Sequence, residues 1–186
     1  MVIRIAGIAG SWSTPSRTRA LLTLVGTRAA ARFGASHEVF DLNDFGPSLG
    51  QARTLEGLEG SARAILDRIL SADALVVGTP VYKGSYTGLF KHLFDLVEPT
   101  ALAGKPVLLT ATGGGEKHAL VVEHHLRPLF GFFEAATLPT GIYAGAADFV
   151  DGVPASPALL ARIDRAVDQL APWLGAQAPA ALAVGA

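Results

Sequence analysis

The sequence predicts an α/β fold in which five parallel β-strands form one sheet with helices on both faces. Short apolar runs alternate along the chain with segments whose apolar residues recur at helical spacing. Five such runs separated by helices are typical of βαβ units, which build a doubly wound parallel sheet. In addition, 50% of the residues are hydrophobic and only 17% are charged, as expected where strands are covered on both faces or where subunits pack together.

The predicted elements follow one another with one long connection. We expect strands at the five apolar runs Val2–Ile8, His37–Asp41, Ala74–Val77, Pro106–Ala111 and Ala136–Ile142. We expect helices at the five periodic segments Ser16–Arg32, Leu58–Leu70, Ser85–Val97, His118–Phe133 and Pro157–Leu174. Residues 42–56 contain Gly and Pro and are interpreted as a loop. These elements predict one domain over residues 1–174, followed by a flexible, Ala-rich and uncharged tail over residues 175–186.

The composition excludes several classes of function. A net charge of −1 and a pI of about 6.5 provide no basic surface for nucleic acid. The chain has no cysteine, so thiolate catalysis, disulfides and Cys-type zinc sites are excluded. No uninterrupted apolar stretch reaches the roughly 18 residues that a membrane span needs, and the N-terminus has no apolar signal-peptide core. We therefore expect a cytoplasmic protein without nucleic-acid or membrane partners.

The loop after the first strand, residues 10–18 (GSWSTPSRT), is the first candidate site. It places five hydroxyl groups and Arg17 beside the start of a helix, where unpaired amides and the helix dipole attract phosphate. Helix capping by Ser13, Thr14 or Ser16 is the alternative, but capping needs only one hydroxyl. The loop matches neither the Walker pattern nor the dinucleotide fingerprint. The pattern therefore favours a phosphate-binding loop of another kind.

Two further loops follow the third and fourth strands. Residues 78–88 (GTPVYKGSYTG) combine a Pro-containing turn with two tyrosines and a lysine, and residues 111–118 (ATGGGEKH) contain three consecutive glycines. Ordinary turn chemistry explains either loop alone. However, ligands of parallel sheets bind outside the carboxyl ends of the strands, at the point where the strand order reverses. The three loops together therefore predict one ligand site.

These three segments resemble the NADPH-dependent FMN reductase family, most closely the FMN reductases of bacterial alkanesulfonate and methanesulfonate utilisation. The resemblance covers residues 2–174 and implies a flavodoxin-like fold. It implies that the FMN phosphate binds at Ser11, Ser16, Arg17 and Thr18. Ser13 takes the place of an arginine that the family often has there, and we count it among the cofactor-binding residues. The isoalloxazine ring is expected between two groups of residues, namely Pro80, Val81, Tyr82 and Lys83 on one side and Thr112, Gly113, Gly114 and Gly115 on the other.

The resemblance also implies an activity. NADH or NADPH would reduce FMN, and the reduced FMN would leave for a flavin-dependent monooxygenase that cleaves the carbon–sulfur bond of a sulfonate. No catalytic acid or base is assigned, since the cofactors carry the chemistry. Members of the family commonly form homodimers or homotetramers. Two alternatives remain open, a flavin-retaining quinone or azo reductase and a flavodoxin-like electron carrier. The nearly neutral net charge of the chain argues against the electron carrier.

The predicted helix His118–Phe133 contains a proline. Pro128 cannot donate a hydrogen bond to the carbonyl of His124, and an interior proline costs about 3 kcal/mol in a regular helix. Either a plain kink or a π-bulge near His124 is therefore expected. In the sulfonate-linked FMN reductases, a one-residue insertion makes a π-helix at the tetramer interface, and His124 matches the inserted position. The resemblance thus implies a π-helix at His124 in a subunit interface.

Overall fold

The computed structural model describes residues 2–175. The strands are β1 (Arg4–Ala9), β2 (Ser36–Asp41), β3 (Ala74–Pro80), β4 (Pro106–Thr112), β5 (Ala136–Thr137), β6 (Ile142–Ala144), β7 (Phe149–Val150) and β8 (Val153–Pro154). The α-helices are α1 (Arg17–Phe33), α2 (Gly60–Leu70), α3 (Gly88–Asp95), α4 (Arg127–Phe132), α5 (Pro157–Asp168) and α6 (Ala171–Leu174). Apart from Gly175, the tail predicted over residues 175–186 lies outside the described residues.

The central sheet confirms the predicted fold class. Its order is β2-β1-β3-β4, and β5 and β6 together fill the fifth position, each pairing in parallel with β4. The strand order reverses between β1 and β3, as in the flavodoxin-like fold that the resemblance implies. The carboxyl ends of β1, β3 and β4 therefore meet at one edge of the sheet.

The prediction of one continuous fifth strand over Ala136–Ile142 is wrong. Leu138 still donates its amide to the carbonyl of Val107, at 2.9 Å, but Pro139 has no amide proton and ends the pairing. The next amide, that of Thr140, bonds Oε1 of Gln169 at 2.9 Å instead of β4. Pairing resumes at β6, so a proline and a competing side chain divide the strand.

The sheet is buried on both faces, which accounts for the apolar composition. Alternate residues of each strand point to opposite sides. Leu75, Val77 and Leu109 pack on the side of α2, α3 and α4, among the buried rings of Phe90, Phe94 and Phe130. Val76 and Leu108 pack on the other side, where α1 and α5 cover the sheet. Among residues 2–175, no helix combines the length and apolar character needed to cross a membrane.

Other boundaries also differ from the prediction. The first strand begins two residues later and ends one residue later than predicted, at Arg4–Ala9. The third helix begins at Gly88, after the tight turn of residues 82–85. Residues 42–56 contain two short 3₁₀ turns and bury several apolar side chains, so this segment belongs to the core. The last helix is divided between α5 and α6. The hairpin of β7 and β8 was not predicted.

The predicted helix His118–Phe133 is irregular. It begins with a 3₁₀ turn, continues as a π-helix over Val122–Leu126, and ends as α4. The amide of Arg127 bonds the carbonyl of Val122, five residues earlier, which is the π-helical pattern. Pro128 consequently falls in the first turn of α4, where its missing amide proton costs little. The π-helix contains His124, at the position where the sequence predicts an irregular turn.

Candidate functional site

The loops after β1, β3 and β4 enclose a cleft of about 340 Å³ at the carboxyl edge of the sheet. All the predicted cofactor residues line it except Lys83 and Gly115, and Pro15 is added. The lining is Ser11, Ser13, Pro15, Ser16, Arg17, Thr18, Pro80, Val81, Tyr82, Thr112, Gly113 and Gly114. Three loops distant in sequence are thus brought together as predicted from the strand order.

A larger groove of about 810 Å³ runs along the outer face of α1 towards β8. It shares Ser13, Pro15 and Ser16 with the cleft, but neither the β3 loop nor the β4 loop contributes to it. Because ligands of doubly wound sheets bind where the strand ends converge, the smaller cleft is the candidate site.

Unpaired donors lie at the start of α1. Ser16 caps the helix: its Oγ accepts the amide of Arg19 at 3.1 Å and lies 2.6 Å from Oγ of Ser11. The helical ladder begins with the amide of Ala20, which bonds the carbonyl of Ser16 at 3.0 Å. Within residues 2–175, the amides of Arg17 and Thr18 have no acceptor. Two free N–H groups at the positive end of a helix dipole favour an anion there.

A buried hydroxyl pair joins this helix to the third loop. Oγ1 of Thr18 lies 2.7 Å from Oγ1 of Thr112, and both side chains are buried. Each hydroxyl can donate one hydrogen bond and accept two. Whichever hydroxyl accepts the bond between them therefore keeps its own proton for another partner in the cleft.

The two arginines of this region have different surroundings. Arg19 bonds Asp41 at 2.7 Å and Asp44 at 2.9 Å. Burial alone would lower the pKa of Arg19, but its hydrogen bonds to these carboxylates and their charges raise it. Arg17 has no carboxylate partner among the described residues, and its guanidinium lies 5.7 Å from the ring centroid of Phe149. Arg17 is therefore the cation of the cleft that is available to a ligand.

The second loop forms a tight hairpin at the mouth of the cleft. The amide of Tyr82 bonds the carbonyl of Ser85 at 2.9 Å, and the reverse bond is 3.2 Å. The two residues between them, Lys83 and Gly84, have φ values of 53° and 86°, as in a type I′ turn. Lys83 is exposed and outside the cleft lining. Tyr82 lines the cleft although 45% of its surface is exposed.

Backbone and hydroxyl bonds connect this hairpin to both other loops. The amide of Val81 bonds the carbonyl of Thr112 at 2.8 Å. On the other side, Oγ1 of Thr87 donates to the carbonyl of Gly10 at 2.7 Å. The three loops therefore form one connected rim.

Tyr143, immediately after Ile142 in β6, holds the glycine loop. Its hydroxyl donates to the carbonyl of Gly115 at 2.5 Å, and burial raises the pKa of Tyr143. A Cβ atom on Gly113 would lie 2.3 Å from the Tyr143 hydroxyl oxygen, so a larger residue there would require the Tyr143 side chain to move. The sequence prediction missed Tyr143 and Phe149, although a tyrosine directly after a predicted strand end is a usable signal.

The arrangement suits a ligand with an anion at one end and a flat ring at the other. Amides, hydroxyls and Arg17 provide donors at the start of α1. Pro80, Val81, Gly113 and Gly114 provide a neutral wall of small side chains and exposed backbone. No carboxylate or imidazole of the described residues lines the cleft, and no cluster of such side chains within residues 2–175 could hold a metal ion.

Comparisons with known proteins find similar sequences and a similar structure. The profile of the family described as NADPH-dependent FMN reductase matches residues 3–149. The NADH-dependent FMN reductase SfnF of Pseudomonas fluorescens is 44% identical over 173 residues, covering 93% of this chain and 92% of that protein. The FMN reductase (NADPH) of Pseudomonas aeruginosa is 44% identical over 172 residues, covering 92% of each. An oxidoreductase structure from Corynebacterium diphtheriae has a TM-score of 0.79 at 34% identity, covering 93% of this chain and 97% of that one.

Proposed function

The chain belongs to the NADPH-dependent FMN reductase family, and on this premise we propose that its cleft binds FMN as an exchangeable substrate, reduced by NADH or NADPH. The reduced FMN then leaves for a flavin-dependent monooxygenase that acts on a sulfonate. The observation that carries the proposal is the pair of unpaired amides beside Arg17, in a cleft whose other lining residues are uncharged.

The phosphate group of FMN is proposed to bind at the start of α1. The amides of Arg17 and Thr18 donate to it, and the hydroxyls of Ser11, Ser13 and Ser16 lie on the same side of the cleft. Arg17 adds a charge-assisted hydrogen bond. Because Phe149 holds the guanidinium from one side, Arg17 is partly oriented before the ligand arrives.

The ring of FMN is proposed to lie between the β3 and β4 loops. The flavin supplies the hydride acceptor when bound, so the protein provides position and electrostatics only. Among the described residues, no carboxylate or imidazole lines the cleft, which agrees with a protein that positions the flavin and leaves the chemistry to it. Of the aromatic side chains within residues 2–175, only Tyr82 lines the cleft, which supports an exchangeable flavin over the aromatic enclosure of an electron carrier.

Steady-state oxidation of NADH and NADPH with FMN, FAD or riboflavin as acceptor tests this proposal. We expect a purified protein that is nearly colourless, turns over added FMN and passes reduced FMN to an added monooxygenase. Negligible turnover of free FMN, together with rapid quinone reduction by a tightly held flavin, would identify a flavin-retaining quinone reductase instead. Comparing NADH with NADPH in the same assay determines the preferred nucleotide.

We also propose a homodimer or homotetramer in the cytoplasm, with residues 1–174 as its catalytic domain. The cytoplasm is where NADH and NADPH are available as reductants. Two apolar side chains near the π-helix support an interface there, since Leu120 is 63% exposed and Phe132 is 67% exposed. His124 lies between them in sequence and is exposed.

Sedimentation analysis of the native protein and of a His124 deletion tests the interface. Deletion is expected to regularise the helix, change the assembly and slow flavin exchange. An unchanged assembly with unchanged FMN turnover would refute a role for His124.

A further inference from the structure

The imidazole of His125, next to His124 in the π-helix, reaches the hairpin at the mouth of the cleft. Nδ1 of His125 lies 2.9 Å from Oγ of Ser85, and both side chains are half-buried. The ring of Tyr86 packs against the imidazole edge-to-face, with centroids 6.1 Å apart and planes at 86°. The imidazole is therefore held from two sides.

This bond ties Ser85, which closes the hairpin turn, to the helical layer. The reciprocal bonds of Tyr82 and Ser85 are internal to the hairpin, and the bond from Val81 to Thr112 lies at its base. Of residues 82–85, Ser85 is the one whose side chain has a hydrogen-bond partner in the described structure. The hairpin also carries Lys83 in the left-handed region, a conformation that costs energy and needs support from its surroundings.

We propose that His125 is a positioning residue for the flavin. By holding Ser85, it fixes the hairpin and hence the position of Tyr82 against the ring end of the cleft. The inference rests on the proposed function, since FMN is the ligand whose affinity it predicts. His125 itself does not line the cleft, so it acts through Ser85.

The proposal predicts a distinctive ligand pattern. The hairpin borders the ring end of the cleft, and the phosphate donors lie at the start of α1. Loss of the His125–Ser85 bond should therefore weaken FMN and riboflavin by the same factor. A neutral hydrogen bond of typical strength corresponds to about three- to tenfold in the dissociation constant.

A double-mutant cycle measures the bond directly. Dissociation constants for FMN and riboflavin are obtained by fluorescence titration of Ser85→Ala, His125→Ala and the double variant, all checked for unchanged melting behaviour. Each single variant should lose about three- to tenfold in affinity. The affinity of the double variant should be no lower than that of the single variant that binds flavin less tightly. In steady state, KM for FMN should rise by the same factor with little change in kcat.

Conservative variants separate positioning from general stability. The amide of His125→Asn can occupy the position of Nδ1 and should restore the affinity, whereas the longer His125→Gln should not. The matched control is His37→Ala, which removes another imidazole–hydroxyl contact, 3.1 Å from Thr27 on the edge of the fold. It should leave both flavin affinities unchanged.

Three results would overturn the proposal: wild-type affinity in both single variants, additive losses in the double variant, or a loss for FMN without a loss for riboflavin. Because the titration does not depend on turnover, it decides the role of His125 even if the wild-type protein binds FMN without reducing it. A wild-type protein that binds FMN without reducing it would refute the proposed function and leave the role of His125 unaffected.

Discussion

Replacing Arg17 by alanine is expected to weaken FMN binding and to leave riboflavin binding nearly unchanged. Arg17 lines the cleft beside two unpaired amides, and no carboxylate of the described residues competes for its guanidinium. FMN and riboflavin differ only in the phosphate. The difference between their two losses therefore reports the contact of Arg17 with that group.

The size of the effect follows from the surroundings of Arg17. A hydrogen bond to a charged group contributes about 1.5–3 kcal/mol. Arg17 is exposed, and solvent screening weakens exposed ion pairs, so we expect the lower end of that range, or about tenfold in affinity. The free amides of Arg17 and Thr18 remain in the variant, which is why binding should weaken and not disappear.

Fluorescence titration with the two flavins at fixed ionic strength measures both losses. Arg63→Ala is a suitable control, since Arg63 is a surface arginine on α2 that pairs with Asp67 at 3.7 Å, and it should change neither affinity. Raising the salt concentration should reduce the difference between wild type and Arg17→Ala. Equal losses for FMN and riboflavin would refute the assignment of the phosphate site to the start of α1.

Three further predictions concern the rim of the cleft, each measured by chemical denaturation. Gly113→Ala should lose about 1–3 kcal/mol of stability, because the added Cβ would lie 2.3 Å from the Tyr143 hydroxyl oxygen. Adding Tyr143→Phe removes that oxygen and should recover part of the loss. If no stability is recovered, the clash lies elsewhere. Lys83→Asn should gain about 0.5–1 kcal/mol, since Asn-Gly is the favoured type I′ pair, whereas Lys83→Ala should show no gain. Thr112→Val should lose about 1–3 kcal/mol by leaving the buried Thr18 hydroxyl unpaired, and adding Thr18→Val should reduce that loss; additive losses would contradict the pairing.

The sheet could be predicted because its physical cause is local. Parallel strands covered on both faces appear as short continuous apolar runs, and β3 and β4 are such runs. The interruption of the fifth strand depends on a contact that no local pattern contains. Pro139 alone signals a weakness, but the capture of the Thr140 amide by Gln169, 29 residues later, requires the folded chain.

The same distinction applies to the site. The loops after β1, β3 and β4 could be predicted as neighbours, because the carboxyl ends of parallel strands share one edge. The bond between Thr18 and Thr112 could not, since 94 positions separate the two residues. Likewise, the sequence marks Lys83 as a candidate by its place among the motif residues, but in the folded chain Lys83 lies in the exposed turn and is not part of the cleft lining.

The π-helix separates two adjacent histidines into different environments. His124 is exposed, whereas His125 is half-buried against the hairpin of the cleft. Pro128 explains why the helix is irregular here, since the π-turn moves the proline into the first turn of α4. Assembly and flavin binding are therefore proposed to depend on neighbouring residues of one short segment. The two roles can be separated, because a change at His125 should alter flavin affinity without altering assembly, and a change at His124 should alter assembly first.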